Sequence, residues 1–136
     1  MDATELALRA LEHRDRSRRE LDERLERAGI AADERSQALD HLAAAGLLSD
    51  ERFAEQRAHA LAARSASDQL IRGDLARHRI PDDVVERTLA DLPPELERAD
   101  RAFARRGRDA KALRYLAAKG FSAETLECLA SSDRLH

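Results

Sequence analysis

Cysteine is nearly absent: Cys128 stands alone in 136 residues, so no internal disulfide framework and no multi-cysteine zinc site can form. Such thiol usage suits a reducing cytoplasm. Aromatics are equally scarce, with three Phe, one Tyr and no Trp, and Val, Ile and Thr together number only eight. That leaves little material for a sheet. Lysine occurs twice against 22 Arg. No apolar run approaches the roughly 18–20 residues that a membrane helix requires. The acid-containing stretch Met1 to Arg14 has no apolar core of the kind a secretory leader needs.

What is present is helix-forming. Ala, Glu, Lys, Leu and Arg make up 84 of the 136 residues, a mixture that reads as helix. Of the hydrophobic residues 27 are Ala, so the core material is thin and an extended assembly is expected rather than one large globule. Charged residues are 38% of the chain, the net charge is −3, and the mean hydropathy is −0.63.

Breaks recur at Ser17, Gly29, Gly46, Ser65 to Ser67, Pro81, Pro93-Pro94, Gly107 and Gly120. The apolar spacing between them predicts nine helices, near 4–14, 17–28, 33–45, 50–64, 68–78, 82–91, 95–106, 109–118 and 122–131. Ser17 with Glu20 fits a capping box. Asp33, Asp82 and Ser122 are placed to open the helices that follow them.

Nine short helices in so short a chain suggest repetition. Ile30, Ile80 and Phe121 align, each closing a turn after a helix. Nine residues upstream stand Leu21, Ile71 and Ala112; five upstream stand Leu25, Leu75 and Leu116; one upstream stand Gly29, Arg79 and Gly120. Downstream, Leu39 matches Leu89, with Ala130 in the third copy. The fold expected is all-α, three tandem three-helix repeats in an elongated, curved arrangement, divided as residues 1–48, 49–93 and 94–136.

Catalysis has little support. There is no His-Glu-x-x-His helix, phosphate loop or nucleophile elbow, and His13, His41, His59, His78 and His136 form no metal-ligand spacing. The chain is read as a non-enzyme with no cofactor and no metal. Cys128, between Leu126 and Leu129, is expected to be a small core residue.

Charge distribution is more informative. The first two repeats are net acidic and the third is net +2. Within the third, Arg101, Arg105, Arg106, Arg108, Lys111, Arg114 and Lys119 face Asp109 alone, a local net of +6. That imbalance implies an anionic partner. Tyr115, beside Arg114, could stack on a base or pack against Phe121. In the first repeat Arg14, Arg16, Arg18 and Arg19 are interleaved with acids, and Glu20–Arg24 and Glu23–Arg27 have the spacing of i,i+4 pairs. That region reads as self-neutralised.

The stretch Gly46-Leu47-Leu48-Ser49-Asp50-Glu51-Arg52-Phe53-Ala54 resembles a motif of the RecX family, bacterial regulators of the RecA recombinase: Gly-Leu-[Leu/Ile]-[Asp/Asn]-Asp-x-x-[Phe/Tyr]-Ala. Ser17-Arg18-Arg19-Glu20-Leu21 with Leu25 and Gly29, Ile71-Arg72 with Leu75, and Leu113 to Leu116 with Lys119-Gly120-Phe121 extend the resemblance from about Leu6 to Leu129. It departs at Arg64-Ser65-Ala66-Ser67-Asp68, where the family usually carries a Gly/aromatic/Gly-Pro stretch. The resemblance implies tandem three-helix repeats and binding along the RecA–DNA filament, restraining recombinase and coprotease activity and so regulating DNA repair and the SOS response. The implied partner is the RecA filament; the basic third repeat adds DNA phosphates as a secondary contact, the lack of long apolar runs predicts no membrane contact, and the repeat frame with its thin core predicts an elongated monomer. Arg52, Arg57 and Arg72 join the third-repeat cations as candidate contacts. The competing reading is a direct DNA-binding helical module without a recombinase partner, in which residues 33–45 would form a recognition helix whose only Arg or Lys is Arg35.

Overall fold

Short polar and glycine turns cut the chain into elements of 9 to 14 residues. A computed structural model describes residues 1–134, and these hold nine α-helices and no strand. They are α1 (Ala3–His13), α2 (Arg18–Arg27), α3 (Ala32–Ala44), α4 (Asp50–Ala63), α5 (Asp68–Arg77), α6 (Asp82–Asp91), α7 (Glu95–Arg105), α8 (Ala110–Ala118) and α9 (Ala123–Arg134). The predicted breaks therefore fall where the helices stop, the main difference being the longer α9.

Local chemistry sets the starts. Ser17 accepts the Glu20 N–H while Glu20 accepts the Ser17 N–H, so both halves of the capping box form. Ser49, Ser67, Asp109 and Ser122 cap α4, α5, α8 and α9 through their side-chain oxygens. Asp33 and Asp82 differ from expectation. They lie inside the first turns of α3 and α6, after Ala31 and Pro81, and favour the helix through its dipole rather than by a cap bond.

The helices pack as three triplets, α1–α3, α4–α6 and α7–α9, each helix meeting both others of its own group. Each triplet has its own apolar core. The first is built on Ala7, Leu21, Leu25, Leu39 and Leu42, the second on Ala54, Ala58, Ile71, Leu75 and Val85, the third on Ala99, Phe103, Leu116 and Leu129. The alanines let the helices approach closely; the cores are small. The exposed area is 8465 Å², against about 7,100 Å² for a compact monomer of this mass. The molecule is correspondingly extended.

The repeat frame is visible in the backbone. Ile30, Ile80 and Phe121 each donate an N–H back to Leu25, Leu75 and Leu116, at 3.1, 3.1 and 3.2 Å. The residue before each closing residue has positive φ: Gly29 at 85°, Arg79 at 64° and Gly120 at 91°. The same six-residue closure therefore ends the middle helix of every triplet. One position in the alignment needs correcting. In the third copy the buried counterpart of Leu39 and Leu89 is Leu129, whereas Ala130 is half-buried. Cys128 also differs from expectation: it is exposed, since the helical register that turns Leu129 inward turns Cys128 out.

Candidate partner and nucleic-acid interface

Two polar joints connect the triplets, and they are built alike. In each, the N-terminal turn of one middle helix meets the turn that closes the next middle helix. At the first joint Glu20 reaches His78 at 3.3 Å, Glu23 reaches Arg79 at 3.5 Å, and the Arg18 N–H donates to Asp50 at 2.8 Å. At the second the Ser67 N–H donates to the Lys119 carbonyl at 3.1 Å, and Gly120 packs against Ser67 and Leu70. Arg98 secures this joint, bonding to Asp68 at 2.6 Å and to the Pro93 carbonyl at 2.7 Å.

The joints also explain the motif from Gly46 to Ala54. Gly46 and Leu47 close α3 by N–H bonds to Ala43 and Leu42, Leu48 is buried, and Ser49 caps α4. Asp50 takes the free N–H at the start of α2, and Phe53 and Ala54 enter the second core. Burial pushes the Asp50 carboxyl up, an effect the Arg18 N–H only partly offsets.

The candidate cations divide by what they touch. Arg57 forms a two-point pair with Asp74 at 2.7 and 2.9 Å, Arg72 a two-point pair with Glu86, and Arg101 a pair with Glu97 at 2.6 Å. Arg52 donates to the Gly46 carbonyl at 3.0 Å, tying α4 to the turn before it. Arg108, at φ 53°, donates to Asp100 at 3.1 Å and lies over Phe103. Arg105, Arg106, Lys111, Arg114 and Lys119 are different: among the described residues none of them has a carboxylate partner. They gather around Tyr115. The Arg106 guanidinium sits 3.5 Å from the ring centre and the Lys119 ammonium 5.5 Å from it. Arg105 reaches the Ser65 hydroxyl at 3.4 Å. Burial alone would raise the Tyr115 phenol, but hydrogen bonding from Arg106 and the charges of Lys119 and Arg106 bring it below its usual value. A base seeking the Tyr115 face would have to displace Arg106.

Two hollows follow this cluster. One, of about 370 Å³, is lined by Arg64, Ser65, Arg105, Arg106, Tyr115 and Lys119 together with Ala63 and Ala102, and no acid. The other, of about 400 Å³, is lined by Arg106, Lys111, Ala112, Arg114 and Tyr115. Arg64 is the cation that sequence reading left out. It lies at the end of α4, about forty residues from Arg105, and only the joint brings them together.

The first triplet's basic run is internally neutralised. Arg14 pairs with Glu20, Arg18 with Asp40 and Arg19 with Glu23, while Arg16 donates to the Ala10 carbonyl. The expected partners of Glu20 and Glu23 were Arg24 and Arg27; the acids instead turn toward the joint and toward Arg14 and Arg19. Arg35, the sole cation of the candidate recognition helix, is taken up by Asp22 and the Ile30 carbonyl. Among the described residues no helix is long and apolar enough to cross a membrane.

Two family models match the chain: RecX, first three-helix domain, over residues 3–42, and RecX, second three-helix domain, over residues 49–89. The regulatory protein RecX of Chromohalobacter salexigens is 40% identical over 127 residues, covering 87% of this chain and 84% of that one. The regulatory protein RecX of Acidithiobacillus ferrooxidans is 34% identical over 147 residues, covering 98% and 91%. A crystal structure of RecX from Lactobacillus salivarius superposes with a TM-score of 0.79 over 98% of this chain and 96% of that one, at 22% identity, a likeness of fold. With both three-helix domains matched and relatives aligned over most of their length, the chain belongs to the RecX family of regulatory proteins.

Proposed function

We propose that the chain regulates a RecA-type recombinase by lying along the recombinase–DNA filament and restraining its recombinase and coprotease activity. One observation carries the choice of surface: the cations without carboxylate partners are concentrated in the third triplet around Tyr115, while those of the first two triplets are mostly held in internal pairs. The units are residues 1–48, 49–93 and 94–136, and the third turns toward DNA phosphates while the acidic first two address protein. Arg105, Arg106, Lys111, Arg114 and Lys119 form the contact face; Arg101, Arg108, Arg57 and Arg72 join it only by giving up Glu97, Asp100, Asp74 and Glu86, and Arg52 by leaving the Gly46 carbonyl. Several modest contacts repeated along one filament add by avidity. Catalysis is not required for this role, and the site of action is the cytoplasm, where the filament forms.

The test compares binding to recombinase–single-strand filaments with binding to naked DNA over a salt series. Tighter, less salt-sensitive binding to filament is expected; equal and equally steep binding to both would remove the protein partner. Arg105→Glu with Arg106→Glu should leave helicity intact and weaken filament binding at least tenfold, a loss of about 1.4 kcal/mol.

A further inference from the structure

The two joints are equivalent by position, and their side chains differ in one systematic way. Arg14 and Arg64 each stand three residues before the capping serines, Ser17 and Ser67. Asp74 and Tyr115 each stand six residues before the closing residues, Ile80 and Phe121, and His78 and Lys119 two before them. At the first joint these groups form an alternating chain: Arg14 to Glu20 at 3.2 Å, Glu20 to His78 at 3.3 Å, His78 to Asp74 at 3.9 Å and Asp74 to Arg57 at 2.7 Å. Two carboxylates thus serve the surrounding basic groups. The Arg57 guanidinium holds Asp74 below the usual carboxylate range against its burial. Burial raises Glu20, but the Ser17 N–H, Arg14 and His78 more than reverse it.

At the second joint the basic positions persist and the acids at the equivalent places are gone; Asp68, the acid that is present there, is held by Arg98. Arg64 replaces Arg14 and Lys119 replaces His78, and Arg105 and Arg106 converge from α7. Leu70 stands where Glu20 would be, Tyr115 where Asp74 would be, and Ser65 where Asp15 would be. The cleft they line is open, holds about 370 Å³ and contains no carboxylate. The same architecture therefore carries counter-charge for these positions at one joint, while at the other the cleft lining has none, Asp68 being taken up by Arg98.

We propose that the cleft between the second and third triplets, lined by Arg64, Ser65, Arg105, Arg106 and Lys119, is a binding site for the phosphodiester backbone of a nucleic acid, which supplies the charge that Glu20 and Asp74 supply at the first joint. Arginine forks match phosphate oxygens in two-point contacts. The basic track continues from the cleft through Arg106 into the hollow beside Lys111 and Arg114, an extent that suits a polymer of regularly spaced charges better than one carboxylate. Because the lining comes from both triplets, an occupying phosphate also bridges them and stiffens the joint. The proposal deepens the reading above by giving the DNA contact a place, yet it is measured on the chain alone. A chain that binds DNA here but ignores recombinase filaments would refute the partner and leave the cleft standing.

The experiment measures fluorescence anisotropy of a labelled oligothymidylate over a salt series, with full-length variants whose helicity is checked by circular dichroism. Ser65→Asp puts a carboxylate beside Arg105 at a position of φ 66°, a conformation that Asp tolerates. It should lower affinity at least tenfold while melting at the wild-type temperature or above it. Ser65→Asn, similar in shape and uncharged, should stay within threefold of wild type. Arg64→Gln, at an exposed position, should lower affinity several-fold and reduce the salt slope by about 0.7, the single-strand value for one phosphate contact. Arg27→Gln, equally exposed in the first triplet, should change neither. Inorganic phosphate should raise the melting temperature of wild type over chloride at equal ionic strength, and not that of Ser65→Asp. The proposal falls if Arg64→Gln behaves like Arg27→Gln, if Ser65→Asn loses as much as Ser65→Asp, or if oligoglutamate of equal length competes as well as the oligonucleotide. The Arg64 comparison decides the matter if Ser65→Asp does not fold.

Discussion

Replacing Gly120 by Ala tests the contact that brings the second and third triplets together. Gly120 has φ 91°, and a Cβ added there would lie 2.5 Å from the Ser67 hydroxyl oxygen and 3.4 Å from the Leu70 Cβ. The positive φ alone strains an L-residue by about 1–2 kcal/mol. The contact adds more, because the Ser67 oxygen accepts the Leu70 N–H at the start of α5 while the Ser67 N–H is bonded to the Lys119 carbonyl. To make room, either Ser67 gives up its cap, at about 1 kcal/mol, or the joint opens and a buried N–H loses its partner, at about 1–3 kcal/mol. The total is about 2–5 kcal/mol. Gly29→Ala is the internal reference: its φ is 85°, and a Cβ there would meet nothing within 4 Å, so strain alone applies. Ser67→Gly is the second reference, since glycine at a cap costs only a few tenths of a kcal/mol relative to serine and removes the obstructing oxygen. Equilibrium urea denaturation followed by circular dichroism should show Gly120→Ala costing more than Gly29→Ala in the wild-type chain, and about the same in the Ser67→Gly chain. Equal costs for the two substitutions in the wild-type chain would refute the close approach at this joint.

Leu25→Ala, Leu75→Ala and Leu116→Ala should each destabilise by about 2–5 kcal/mol, because these side chains are 1%, 0% and 0% exposed at the same point of the repeat; a loss below 1 kcal/mol at any of them, measured by denaturation, would break the equivalence. Asp74→Asn should destabilise by about 1.5–3 kcal/mol at pH 7 through loss of the charge-assisted bonds from Arg57. Because the folded carboxyl titrates below its usual value, the stabilisation is complete above the unfolded value of about 4 and disappears as pH falls through the lower folded value. Melting curves of wild type and variant should therefore converge in acid, and a gap that stays constant to low pH would show that the charge is not its source.

The helices were legible because the chain marks their ends with local chemistry. Ser17, Ser49, Ser67 and Asp109 act within three residues of themselves, and the closures at Ile30, Ile80 and Phe121 span six. What lay beyond reading was set by contacts between triplets. Glu20 and Glu23 have ideally spaced arginines four residues on, yet the joint brings half-buried His78 to Glu20 and exposed Arg79 to Glu23. Arg64 is one arginine among 22 until the joint places it beside Arg105. A signal was present even so: extending the repeat frame to polar positions pairs Arg14 with Arg64 and Asp74 with Tyr115, and the missing acids then stand out. Cys128 and Ala130 were misplaced by a one-residue register question at a helix with little apolar pattern to fix it.

Keeping three small cores apart has a mechanical consequence. Deforming any one of them means disturbing close-packed side chains, whereas the links between them are a few hydrogen bonds and ion pairs, those of the first joint at partly exposed turns. Compliance is therefore concentrated at two points, and the chain behaves as three stiff plates on two hinges. A globule with one continuous core meets a curved track with a fixed outline; a hinged strip can bend to the pitch of the track it lies on. The hinges are also unequal. The first is braced by ion pairs between partly exposed groups, which salt weakens, while the second is held by the buried Ser67 N–H to Lys119 bond and the Arg98–Asp68 pair, with the cations of its cleft side by side next to them.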